Sequence, residues 1–179
     1  MSLSLLETSL KLLKKMNSKL IDREKAIELR GEFLRQGKSV GLCHGTFDFI
    51  HLGHLRHFNE AASKVDILMC SITADELVIK GDGRPYYNEL ERLEYLSNLT
   101  MIDYCFVNNE QTSINLIKEL KPNFYFKGID YKNNEDDPTG NIGFEVESVE
   151  SVGGVVHYTE TSKRSSTEIL NKYFKKELL

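Results

Sequence analysis

From residue 39 onward, short apolar runs alternate with stretches of helical periodicity, and this alternation constrains the fold more than any other feature. The runs cover residues 39–43, 65–72, 104–107, 123–127 and 155–158. The second reads Val65-Asp66-Ile67-Leu68-Met69-Cys70-Ser71-Ile72 and is nearly continuous in apolar residues, the pattern of a parallel strand covered on both faces. Helical patterns lie between them at 55–62, 89–99, 113–120 and 144–152, with Asn88 placed to cap the second and Gly153-Gly154 to stop the last. A further helix start is expected at Thr73-Ala74-Asp75-Glu76. The alternation predicts an α/β fold, a doubly wound parallel sheet of about five strands. Ligands of such sheets bind beyond the carboxyl ends of the strands, where the strand order reverses.

Ahead of this pattern, Leu3, Leu6, Leu10, Leu13, Met16 and Leu20 recur at mostly three- and four-residue steps, so residues 3–20 read as an amphipathic helix. Asp22 is placed to cap a second helix over 23–35, and Gly37 to end it. The division expected is an N-terminal helical extension, 1–37, followed by one domain, 38–179. The extension packs on the chain's own core or on a partner subunit, and the assembly expected is a homodimer. Residues 132–141 hold Asn-Asn-Glu-Asp-Asp-Pro-Thr-Gly and read as a surface loop. Residues 161–167 are polar and precede a last helix, 168–174.

Composition excludes several classes of function. At 179 residues, 40% hydrophobic and 28% charged, the chain can build one proper core. A net charge of −4 argues against a nucleic-acid surface but leaves room for a locally positive pocket. No apolar run nears the roughly 20 residues that span a bilayer. Glu7, Lys11, Lys14 and Lys15 interrupt the N-terminal leucines, unlike a secretory leader, and the compartment expected is the cytoplasm. Cys43, Cys70 and Cys105 are an odd number without metal spacing, and read as small buried hydrophobes in a reducing environment.

The chemistry concentrates at His44-Gly45-Thr46-Phe47-Asp48-Phe49-Ile50-His51-Leu52-Gly53-His54, between the first strand and its helix. A glycine-bearing turn into a helix N-terminus offers free amides and the positive end of the helix dipole to a phosphate. Gly45 and Gly53 allow close approach of backbone to anion. His51 and His54, three apart, share a helix face, and each can donate to a phosphoryl oxygen.

Gly45-Thr46-Phe47-Asp48-x-x-His51-x-Gly53-His54 resembles the signature of the cytidylyltransferase-like nucleotidyltransferases, with all of its fixed positions matched. The resemblance implies a Rossmann-like core and nucleotidyl transfer: an acceptor phosphate attacks the α-phosphorus of a nucleoside triphosphate and pyrophosphate leaves. That phosphate is already largely ionised near neutrality, so no protein nucleophile is required. The site must position its substrates and stabilise charge. His51, His54 and Lys80 are implied as catalytic. Gly45, Thr46, Phe47, Asp48, Gly53, Arg92, Lys127, Gly128 and Asp130 are implied at the nucleotide or sugar, with Ser165, Ser166 and Thr167 as a second phosphate cradle. The family's usual form at that cradle is Ser-Thr-Thr, from which this chain departs at Ser166.

Lys80-Gly81-Asp82-Gly83-Arg84-Pro85, Lys127-Gly128-Ile129-Asp130-Tyr131 and Glu147-x-x-Glu150-Ser151-x-Gly153-Gly154 are similar to blocks of the D-glycero-β-D-manno-heptose 1-phosphate adenylyltransferase branch. By that likeness the donor is ATP rather than CTP, the acceptor a phosphorylated sugar, and Mg²⁺ travels with the triphosphate, with no protein metal ligands assigned. Cytidylyl transfer to glycerol 3-phosphate or another alcohol phosphate, and a nucleotide-binding module without catalysis, are the alternatives.

Plainer readings compete at several positions. His51, His54 and His57 form an H-x-x-H-x-x-H row, but helical zinc pairs prefer a spacing of four, and no fourth ligand follows. His57 is expected on the helix surface, and His44 at the strand end or facing the ligand. Phe47 and Phe49 read as packing anchors of the turn. Lys80 and Arg92, taken alone, read as solvated charge.

Overall fold

The computed structural model describes residues 17–132 and 140–160. Five strands, β1 (Val40–Gly45), β2 (Ile67–Thr73), β3 (Tyr104–Asn108), β4 (Phe124–Gly128) and β5 (Val155–Thr159), pair in parallel throughout. Their order is β3-β2-β1-β4-β5. The chain winds outward from β1 to β3, then crosses to the other side of β1 for β4 and β5. The reversal therefore falls between β1 and β4.

Period-two alternation along the strands covers both faces with apolar side chains. Cys43, Cys70, Cys105 and Phe126 face one layer, with Phe58 from helix α2 (Leu52–Ala62) and Leu93 and Leu96 from α3 (Glu89–Ser97). Leu42, Met69, Phe106 and Tyr125 face the other, with Ala26 from α1 (Arg23–Arg35), Leu116 from α4 (Ile114–Leu120) and Val149 from α5 (Ile142–Ser151). The three cysteines are free, buried and in register across β1, β2 and β3. At the opposite end from the site, polar side chains close the strand starts. The Val40 amide donates to Asn123 Oδ1 (2.9 Å), and the Leu68 amide donates to Asp103 Oδ2 (2.7 Å). No described helix is long and apolar enough to cross a membrane.

Capping explains where the helices begin. Asp22 accepts from the Lys25 amide at 2.9 Å, so α1 starts at Arg23 as expected. Asn88 and Glu91 form a capping box at the start of α3. Helix α2 begins at Leu52, three residues earlier than its periodicity suggests, because His51 supplies the cap. The start expected near Asp75 is one short 3₁₀ turn, Asp75–Leu77.

The helix expected to reach Leu20 does not extend that far. Leu20 instead makes a parallel bridge to Cys105 and is only 4% exposed. The Cys105 amide donates to the Lys19 carbonyl (2.9 Å), and the Ile21 amide to the Cys105 carbonyl (3.1 Å). An edge strand such as β3 leaves a row of unpaired backbone groups, and pairing with residues 19–21 satisfies them. The remainder of that N-terminal helix, most of the polar loop at 132–141 and the last helix lie outside the described residues.

Candidate functional site

The turn after β1 is locked from two sides. Phe47 takes a left-handed backbone conformation, φ 47°, which folds its ring back over Gly45. A Cβ at Gly45 would stand 3.2 Å from that ring, tighter than most side-chain contacts, so a larger residue would push the ring off the strand end. The ring packs on Phe58 (centroids 5.1 Å apart) and meets His54 edge-on (5.4 Å). Phe49 stacks on Tyr87. Both are packing anchors of the turn, as expected.

Asp48 is 1% exposed and turned inward. Its Oδ1 accepts from the amides of Tyr86 (2.7 Å) and Tyr87 (3.1 Å), and its Oδ2 from Arg84 Nε (2.6 Å). The carboxylate thus clamps the 84–87 loop to the turn. Arg92, expected as solvated charge if read alone, is fully buried. Its Nη1 donates to the Thr46 carbonyl (2.7 Å), and its Nη2 to the Thr73 carbonyl (2.8 Å) and Asp75 Oδ1 (2.6 Å). The guanidinium fastens the ends of β1 and β2 together beneath the turn.

His51 caps α2, its ring accepting from the His54 amide at 3.4 Å. The two imidazoles stack with centroids 4.0 Å apart and planes 14° from parallel. Burial pushes the His54 pKa down to about 3, and the charges of His51, His57 and Lys80 add to it. His54 is neutral at pH 7, although a backbone hydrogen bond at Phe49 favours its charged form. Beside it, the first turn of α2 presents backbone amides and the positive helix end. Lys80 is an exposed residue of the loop after β2. Its pKa is lowered by loss of water and then by repulsion from Arg84, while Asp48 acts the other way.

At the end of β4, Lys127 is buried, its Nζ 2.7 Å from Glu145 Oε2 and stacked over the rings of Tyr125 (5.1 Å) and Tyr131 (5.0 Å). Ser113 Oγ donates to Glu145 Oε1 (2.6 Å) and shares a hydrogen bond with the Tyr125 hydroxyl (2.9 Å). Burial opposes charge on both partners, yet Glu145 is held below the ordinary carboxylate range by Lys127, and Lys127 is raised in return. The ammonium expected at the nucleotide is therefore committed to a carboxylate of α5. The Asp130 carboxylate folds back over the Gly128 Cα, and a side chain there would make it turn away.

One histidine lies deeper than expected and another sits at its expected strand end. His57, read as a surface residue, is buried, its Nδ1 2.7 Å from Thr159 Oγ1 at the end of β5. Thr159 Oγ1 in turn donates to the Lys127 carbonyl (3.3 Å). His44 stays within β1, its Nδ1 2.9 Å from Ser71 Oγ. The chain leaving β5 is tied to α2 through Glu60, which meets His157 Nε2 (2.8 Å) and the Glu160 amide (3.0 Å). Ser165, Ser166 and Thr167 lie outside the described residues.

The structure thus gathers Gly45, Thr46, Phe47, Asp48, His51, Gly53, His54, Lys80 and Arg92 at the β1 and β2 ends. Lys127, Gly128 and Asp130 stand at the β4 end, across the reversal point. Glu145, Ser113 and Tyr125 carry no sequence signal that links them to Lys127, since they meet it only through tertiary packing. A neutral imidazole at His54, helix amides and flanking cations suit a phosphate. Among the described residues no group of three or more His, Cys, Asp or Glu side chains is placed to hold a metal ion.

Comparison with known proteins agrees with this geometry. The Cytidylyltransferase-like family model matches residues 42–172. Bifunctional protein HldE of Geobacter metallireducens is 38% identical over 140 residues, 76% of this chain and 27% of that protein. The same protein of Aliarcobacter butzleri is 34% identical over 150 residues, 83% of this chain and 31% of that one. The chain thus spans under a third of the length of these curated relatives. A crystal structure of the lipopolysaccharide core biosynthesis protein of Thermoplasma volcanium superposes with a TM-score of 0.56 at 25% identity, covering 72% of this chain and all of that one. The pantoate-beta-alanine ligase of Francisella tularensis, 14% identical with a TM-score of 0.60 over 85% of this chain and 72% of that one, shares the fold. With its signature turn, parallel sheet and family-model match in agreement, the chain belongs to the cytidylyltransferase-like family of nucleotidyltransferases.

Proposed function

We propose that this chain transfers AMP from ATP to a sugar 1-phosphate of the heptose 1-phosphate type. An oxygen of the acceptor phosphate attacks the α-phosphorus. The bond from that phosphorus to the bridging oxygen breaks, and its electron pair leaves with pyrophosphate. No proton moves, because the attacking oxygen is already ionised near neutrality.

The observation that carries the reading is the stacked His51–His54 pair at the start of α2, with Lys80 beside it. A half-buried imidazole N–H donates to developing α-phosphoryl charge with little water to lose. Lys80 and the α2 amides take up phosphate charge. Asp48 and Arg92 fix the turn so that these donors stay in place. Lys127, Gly128 and Asp130 stand at the β4 end, where the acceptor or nucleotide would lie, and Ser165, Ser166 and Thr167 supply the second cradle. Magnesium neutralises triphosphate charge when bound. Asp48, the nearest carboxylate of the turn, already has both oxygens engaged, so a bound ion would be held mainly by phosphate oxygens. The sugar assignment rests on the Lys80–Pro85 and Lys127–Tyr131 blocks and on the similarity to HldE and to the lipopolysaccharide core biosynthesis protein.

Pyrophosphate release is the test, measured with Mg²⁺ and a panel of triphosphates against sugar 1-phosphates and glycerol 3-phosphate. Release with ATP and a heptose 1-phosphate is expected. Release with CTP and glycerol 3-phosphate alone would assign the cytidylyl reaction instead, and nucleotide binding without release from any pair would favour the non-catalytic module.

A further inference from the structure

Arg84 is not among the residues that the turn's signature singles out, yet it is a cation held in place beside the turn. Its side chain is 10% exposed and rests on a carboxylate, Asp48, whose own side chain is completely buried. One guanidinium nitrogen, Nε, makes that bond at 2.6 Å. Another, Nη2, is buried and has no hydrogen-bond partner among the described residues. Asp48 cannot serve it, because Oδ1 is taken by the amides of Tyr86 and Tyr87. A buried guanidinium N–H without an acceptor is costly to the folded protein, and an acceptor that arrives with a ligand offsets that cost.

Three features define what would satisfy it. Asp48 belongs to the turn that leads into His51 and His54, so Arg84 is fastened to the same backbone that presents them. Lys80, on the same loop, is close enough to Arg84 for the two charges to repel. A rigid guanidinium already held at Nε presents its remaining N–H groups as a fork, the geometry that matches a phosphoryl group. Asp48 then acts as the anchor that points the fork.

We propose that Arg84 is a substrate-binding residue, donating from Nη2 to a phosphoryl oxygen of a bound substrate while Asp48 holds Nε. The proposal rests on the nucleotidyl-transfer reading. The phosphoryl group belongs to the triphosphate or to the acceptor, and the two sources separate in the experiment.

Calorimetric titration of the full chain, as wild type, Arg84→Gln and Arg84→Lys, tests it. Each protein is titrated with inorganic pyrophosphate and ATP in the presence of Mg²⁺, and with a sugar 1-phosphate, and its melting temperature is recorded. Arg84→Gln is expected to weaken either pyrophosphate and ATP together or the sugar 1-phosphate at least tenfold, while leaving the other class of ligand within about twofold. Arg84→Lys keeps the charge but loses the fork, and is expected to recover part of that loss. Selective loss of pyrophosphate and ATP places the fork on the triphosphate, and selective loss of the sugar phosphate places it on the acceptor. If Arg84→Gln fails to fold, the selectivity of Arg84→Lys decides. Variants that bind every ligand like wild type, or lose all of them equally with a fall in melting temperature, overturn the proposal and leave Arg84 as a strut for Asp48. A wild type that binds neither pyrophosphate nor ATP overturns the nucleotidyl-transfer reading itself.

Discussion

His54 shows how one residue is specified by several neighbours at once. Its ring is stacked on His51, met edge-on by Phe47 and kept neutral by burial and nearby charge. Replacing it with alanine should lower kcat in the pyrophosphate-release assay by about 10²–10³-fold, the usual cost of removing one preorganised donor. Circular dichroism should show the fold intact, and full activity would remove the role assigned here. The sequence marks His51 and His54 plainly because their spacing and their glycines are unusual. It marks Asp48 without revealing its direction. Nothing in Gly-Thr-Phe-Asp says that the carboxylate turns inward to Arg84, because that contact depends on where a loop 36 residues later returns. His57 misleads for the same reason. Its partner, Thr159, lies 102 residues away.

Elements were legible where their signals are local. The caps at Asp22 and Asn88 fix the starts of α1 and α3, and the apolar runs fix all five strands within one or two residues. The start of α2 was obscured because histidine is an uncommon cap and glycine at 53 disfavours helix. Lys127 belongs to this scale as well, since its pairing joins β4 to α5 and, through Ser113, to the start of α4. Glu145→Leu should cost about 3–5 kcal/mol in urea unfolding, because it leaves a buried ammonium uncompensated. Adding Lys127→Met should recover much of that loss. A single substitution that unfolds no more easily than wild type would mean the pair is dispensable to the packing of α5.

For the whole molecule, three buried or half-buried histidines set a dependence on acidity. His44 is pushed down to about 4, His54 to about 3 and His57 to about 4, in each case by burial first. In the unfolded chain the same groups titrate near 6.5. Below that value the unfolded state takes up protons that the folded state refuses, so stability is fully present above about pH 6.5 and drains away toward about pH 4. Unfolding free energy should change by up to about 1.4 kcal/mol per pH unit for each participating histidine. Denaturant melts across this range read the slope, and His57→Asn should reduce it by about one proton. A flat profile would contradict the burial of these rings.

The row of three cysteines has a consequence of another kind. Cys43, Cys70 and Cys105 sit on three neighbouring strands in one line, each sealed from water and each with its thiol pushed well above the usual range. Alkylating reagents and oxidants need a thiolate they can reach, and the native sheet offers none. Chemical damage at these sulfurs is therefore gated by separation of strands β1 to β3, and modified sulfur in an ageing sample records how often the middle of the protein has come apart.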